Sequence, residues 1–161
     1  MQKTLTNGYT MPRLVFLVAL RVAIGWHFMY EGVVKLLQGN WTSYAFLMDS
    51  KGWFSGIFRS IAGNPTALAI SDQMNMWGLT LIGFALITGI FTRYAKIAGI
   101  LLLLFYYAAQ PPLMTAEYLF PGEGSYLWVN KNLIEILALA VLFVFPTGHI
   151  IGIDRLLKKS R

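Results

Sequence analysis

The chain has no cysteine among its 161 residues. Disulfides, cysteine-ligated iron–sulfur clusters and dithiol redox chemistry are therefore excluded within this chain. Histidine is almost as scarce, with only His27 and His149. Charge is the third shortage. Charged residues make up 12% of the chain and hydrophobic residues 57%, whereas soluble domains run near ~25% charged. This balance points to a small integral membrane protein organised as one domain over residues 1–161. The net charge of +6 does not indicate a nucleic-acid partner. The basic residues sit at the ends of apolar runs, which suits topology control better than phosphate binding.

What charge there is falls where it costs most. The stretch 15–37, VFLVALRVAIGWHFMYEGVVKLL, is long and apolar enough to cross a bilayer, yet it carries Arg21, His27, Glu31 and Lys35. One charge at the centre of a membrane helix costs at least ~2.5–3.5 kcal/mol on insertion scales. At about 100° per residue, these four fall with Phe28 and Gly32 in roughly one third of the circumference. The opposite side carries Val18, Ala19, Ala23 and Tyr30. The polar stripe must therefore face protein or a wet cavity. The run follows basic residues as a signal peptide does, but its length, its internal charges and the lack of a small-residue cleavage site predict that it is retained.

Further along, residues 41–62 are amphipathic and too interrupted to span. Trp41, Tyr44, Ala45 and Met48 form one stripe; Phe54, Ile57, Phe58 and Ile61 form another on a new phase. Two short helices are expected, either lying in the membrane interface or capping the bundle as a loop. Gly63-Asn64-Pro65 reads as a turn. A second span is expected over 76–92, with Gly78, Gly83 and Gly89 offering close approach to a neighbour. A third is expected over 97–110, stopped by Pro111-Pro112. A loop containing Glu117 and Glu123 leads to a fourth over 127–145, ended by Pro146-Thr147-Gly148. The expected fold is all-α: a four-helix transmembrane bundle with short interfacial amphipathic helices between spans 1 and 2.

Counting lysine and arginine gives orientation. Lys3, Arg13, Arg93, Lys96, Arg155, Lys158, Lys159 and Arg161 share one side; Lys35, Lys51, Arg59 and Lys131 share the other. The richer side is cytoplasmic by the positive-inside rule, which puts both termini inside. Glu31 and Lys35 then lie at the same outer depth as Asn130, Lys131 and Glu135. Asp72, Gln73, Asn75, Tyr106, Tyr107 and Gln110 end their helices on that side. Expected pairs are Glu31 with Lys35 or Lys131, and Glu135 with Arg21 or Lys131. Two readings stand: packing glue, or a substrate or proton-coupled pocket with His27 as the titrating group. A bis-histidine haem is not expected, because His149 belongs at the inner end, well below His27. His27, Glu31 and Glu135 lack the spacing of a specific metal site.

The first span, RVAIGWHFMYEGVVKL, resembles the Arg-Gly-Phe-Glu-Gly-Lys signature of DoxX-type membrane proteins. NMWGLTLIGFALITGIFTRYAKIAG over 75–99, the YY…PP stretch over 106–112, VNKNLIEILAL over 129–139 and the closing GHIIGIDRLL extend the likeness across most of 15–157. These blocks are most similar to the DoxD branch, the membrane subunit of thiosulfate:quinone oxidoreductase. That resemblance implies a four-helix protein of a bacterial or archaeal cytoplasmic membrane. It also implies oxidation of two thiosulfates to tetrathionate, with quinone as electron acceptor and a separate DoxA-like extracytoplasmic partner.

On this reading His27, Glu31 and Glu135 are the catalytic candidates, handling protons. Lys35, Asn130 and Lys131 attract and hold the anion. Trp26, Phe28 and Tyr106 flank the quinone ring. Arg21, deeper and nearer the cytoplasm, is a structural tie. No metal or haem is expected. The bilayer, the extracytoplasmic subunit and a second copy of the chain are the expected partners. The alternative is a non-catalytic membrane module that scaffolds or assembles a partner.

Overall fold

In the computed structural model, residues 9–113, 118–119 and 127–159 are described. Lys3, Glu117, Glu123 and Arg161, all used in the sequence reading, lie outside them. The described residues are helical with no strand. In order they form α1 (Met11–Leu37), α2 (Tyr44–Met48), α3 (Ser55–Gly63), α4 (Pro65–Thr88), α5 (Thr92–Ala109), α6 (Lys131–Val144) and α7 (Asp154–Lys159). The four long helices form a ring. α1 packs on α4, α4 on α5 and α5 on α6, while α6 touches α1 only lightly.

Local chemistry explains the ends. Asn64 caps α4, its side-chain oxygen accepting from Thr66 N at 3.0 Å and Ala67 N at 3.1 Å, and Pro65 takes the first turn. Both are favourable there, because the first N–H groups of a helix have no partner within it. α4 therefore starts at residue 65, not at 76 as expected, and ends at 88 rather than 92. Gly89 stops it in the left-handed region at φ 74°. Asn130 caps α6 by accepting from Leu133 N at 3.1 Å, so this helix starts at 131 rather than 127 and ends at 144. α5 starts at 92, five residues before the expected onset.

The tightest seam is between α1 and α4, where Gly25 meets Gly83 and Gly32 meets Thr80 and the Met76 carbonyl. A Cβ at Gly83 would collide with the Met29 backbone nitrogen and come within 2.5 Å of the Gly25 carbonyl oxygen. Gly78, expected to do the same, has open space around it. Above this seam Ile24, Phe28, Leu79, Ile82, Leu86, Leu103, Leu139 and Leu142 form the core. A second cluster joins Leu47, Phe58 and Ala62 to Ala109, seating α2 and α3 on α5. Here the expected α2 stripe is corrected. Leu47 points inward, while Tyr44 and Met48 are exposed.

The outer faces of the ring remain apolar: Phe16, Leu81, Phe84, Leu101, Phe105 and Leu137 are all exposed. A soluble protein does not leave that much contiguous apolar surface in water, so lipid is the fitting solvent. One described helix, Met11–Leu37, is by itself long and apolar enough to cross a membrane. α6, with 14 residues, rises only about 21 Å against a hydrocarbon core of ~30 Å.

Candidate functional site

At one end of the ring the polar stripe of α1 meets α4, α5 and α6 around a cavity of about 120 Å³. His27, Glu31 and Lys35 enter it from α1, Tyr106 from α5, and Lys131, Asn132 and Glu135 from α6; Phe28, Leu79 and Leu103 form its apolar floor. The spacing on α1 dictates the grouping. Residues 27, 31 and 35 are successive one-turn neighbours and therefore present side chains in a row.

Within the cavity His27 is held on both sides. Its Nδ1 lies 2.8 Å from Glu135 Oε1, and its Nε2 lies 3.4 Å from Lys131 Nζ. An ammonium only donates, so Nε2 accepts and the neutral ring carries its proton on Nδ1, facing the carboxylate. The short Nδ1 contact does not have the alignment of a hydrogen bond, and Glu135 Oε2 is buried without a partner among the described residues. The carboxylate thus keeps unused acceptor capacity beside the imidazole.

Lys35 makes the second half of the site. Its Nζ is 3.7 Å from Glu31 Oε2 and donates to Asn75 Oδ1 at 3.2 Å. It also sits over the Trp41 ring, 4.8 Å from the centroid, and 5.9 Å from the centroid of Tyr106. Asn75 in turn donates to the Tyr106 hydroxyl at 2.6 Å. A chain of polar contacts therefore runs from Glu31 through Lys35 and Asn75 to Tyr106.

Most of the expected residues meet here, with corrections. Glu135 pairs with His27 and not with Arg21 or Lys131, because Arg21 is about one and a half turns further down α1. Asn130 is spent on capping α6 and does not line the cavity. Trp26 is exposed on the outside of α1, so it does not flank a ring bound here. Phe28 and Tyr106 do line the cavity. Among the described residues no group of three or more His, Asp or Glu side chains is placed to hold a metal ion.

Arg21 belongs to a different structure at the other end. It is buried and donates to Thr147 Oγ1 at 3.0 Å and to the Ile151 carbonyl at 2.8 Å. Lys96, also buried, donates to the Leu142 carbonyl at 3.0 Å. Beside them Asp154 accepts from Phe91 N at 2.8 Å, Thr92 N at 3.1 Å and Thr92 Oγ1 at 2.8 Å. It thereby caps α5 and holds Phe91 at a positive φ of 49°. Sequence reasoning missed Asp154; its one outward signal is an acid standing alone in a basic tail.

On the opposite rim, Asp49 accepts from Leu119 N at 2.7 Å, and Tyr118 donates to the Pro111 carbonyl at 2.6 Å. Burial, with Asp49 nearby, pushes the Tyr118 phenol above its usual value and keeps it a donor.

Comparison with known proteins adds one finding. The family model described as DoxX matches residues 16–110, more than half of the chain, from α1 through α5. No match is found among curated proteins or among solved structures.

Proposed function

The chain belongs to the DoxX family of membrane proteins, and on that premise we propose that it is the membrane subunit of a quinone-linked oxidoreductase acting on thiosulfate or a related small sulfur anion. The observation that carries this reading is His27, set between Glu135 at 2.8 Å and Lys131 at 3.4 Å in a polar cavity at one end of the ring of helices. The four long helices cross the membrane on this reading, with the cavity in its outer half.

The chemistry must supply two electrons and two protons. Two thiosulfate dianions join through a new sulfur–sulfur bond and release two electrons. The quinone takes those electrons with two protons and becomes the quinol. The chain has no cysteine to carry these electrons, so either the sulfur anions are held next to the quinone or a DoxA-like extracytoplasmic subunit holds them and supplies the electron carrier. The role of the chain is protonic and electrostatic. His27 Nε2 takes up a proton from the aqueous mouth through Lys131 as its Nδ1 proton passes to Glu135, and Glu135 delivers the two protons in turn to the quinone oxygens. Lys35 stabilises the negative charge that builds on the ring during reduction. Lys131, exposed at the mouth, draws the dianion. The cavity has room for the carbonyl edge of a quinone ring.

Thiosulfate-driven quinone reduction, followed by absorbance in membranes with and without the protein, tests the reading. A protein-dependent rate supports it, and equal rates overturn it. One observation favours a second reading, that of a non-catalytic module. The Lys35–Asn75 and His27–Glu135 contacts also suffice to hold helices together. In that case a partner co-purifies in fixed ratio and no quinone is bound.

A further inference from the structure

A second cavity, of about 420 Å³, adjoins the polar one and shares Tyr106 with it as a common wall. It is enclosed by α2 and α3 on one side and α4 and α5 on the other. Its walls are almost wholly apolar, including Phe46, Leu47, Phe58, Ile61 and Leu102. Ile70, Met74 and Phe105 stand at its edge and are strongly exposed, so the groove opens sideways onto the surface that lipid would cover. The two faces of the shared wall differ in kind. Lys35 approaches the Tyr106 ring from the polar cavity, and Phe46 packs edge-on to the same ring at 5.8 Å between centroids. Asn75 also borders the groove and holds the Tyr106 hydroxyl.

We propose that the two cavities are one bipartite site, in which the groove takes the first isoprenoid units of a quinone's chain while the carbonyl edge of the ring enters the polar cavity. Tyr106, latched by Asn75, is the gate between them. The proposal rests on the quinone reading above and adds to it where the chain lies. Three features select this occupant. The polar cavity is well below the ~300–1,000 Å³ usual for a whole ligand, whereas the groove falls inside that range. The groove carries no charged side chain, so it suits a hydrocarbon and not a second headgroup. Its lateral mouth lets a long chain run on into the bilayer.

The test measures binding of two probes to the full chain in lipid nanodiscs: a substituted benzoquinone without a side chain, and the same ring carrying two isoprene units. The wild type binds the chain-bearing probe at least about tenfold more tightly. Ala67→Phe, which fills the groove from α4, abolishes that difference and leaves the affinity of the bare ring unchanged. Met74→Trp, at the exposed mouth, reduces the difference and serves as the second variant if Ala67→Phe does not fold. Equal affinity of the wild type for both probes, or an equal loss of both in the variants, overturns the groove assignment while the quinone reading stands. If neither probe binds the wild type, the quinone reading falls and the groove assignment falls with it.

Discussion

On the proposed reading Glu135 is the residue on which the chemistry turns, because one of its oxygens meets His27 and the other is buried with no partner among the described residues. Glu135→Gln keeps the shape and removes the charge. Loss of a positioned acid–base group costs about 10²–10⁴ in rate, so quinone reduction should fall by at least about a hundredfold while ring binding changes little. A fall in the amount of folded protein with unchanged turnover per molecule would show the pair to be structural. Asp154 makes the contrasting case. It satisfies three donors at the start of α5, and cap removals cost about 0.5–2 kcal/mol each. Asp154→Ala should therefore lower the thermal midpoint in detergent while leaving ring affinity intact, since it lies at the far end from the cavity. The first of these residues was legible in the sequence, because the orientation count places Glu135 at the depth of the outer part of the polar stripe on α1. The second was not: its bonds reach back 62 and 63 residues, and no local periodicity encodes such a contact.

The helices follow from their punctuation more than from their hydropathy. α4 begins at Pro65 because Asn64 and Pro65 are a cap and a first-turn proline. The turn itself was readable, but the polar run Ser71-Asp72-Gln73 masked the helix that follows it. Hydropathy misled for a physical reason. Asp72 faces inward and accepts from the Ser43 backbone N–H at 2.8 Å and from the Ser43 hydroxyl at 2.5 Å, tying α4 to the segment before α2. Glycine likewise meant different things at different places. Gly83→Ala drives a methyl into the backbone of α1, and overpacking of this kind typically costs about 1–3 kcal/mol. Gly78→Ala has open space and should stabilise α4 by roughly 0.5–1 kcal/mol through helix propensity alone. Opposite shifts in unfolding temperature for the two variants are expected; a large loss in both would mean that Gly78 faces a partner in the membrane.

At the scale of the whole molecule, the two ends of the ring do different work. One end, with Arg21, Lys96 and Asp154, spends its charges on backbone groups and holds the helices in place. The other leaves charges facing a cavity. On the proposed reading, which end faces the cytoplasm decides where a sulfur anion can enter, and the positive-inside rule predicts that the end with Arg21, Lys96 and Asp154 is inside. The absence of cysteine makes this directly measurable, because any introduced thiol is the only one. Tyr94, exposed in the first turn of α5, and Ser60, exposed on α3, stand on opposite sides in this arrangement. A membrane-impermeant maleimide should label Ser60→Cys in intact cells and Tyr94→Cys only in inverted vesicles. The reverse pattern would open the cavity to the cytoplasm, and an extracytoplasmic partner could then no longer deliver substrate to Lys131. Labelling of both positions from one side would show that α4 does not cross the membrane, leaving Met11–Leu37 as the anchor and the other helices as a body resting on the bilayer surface.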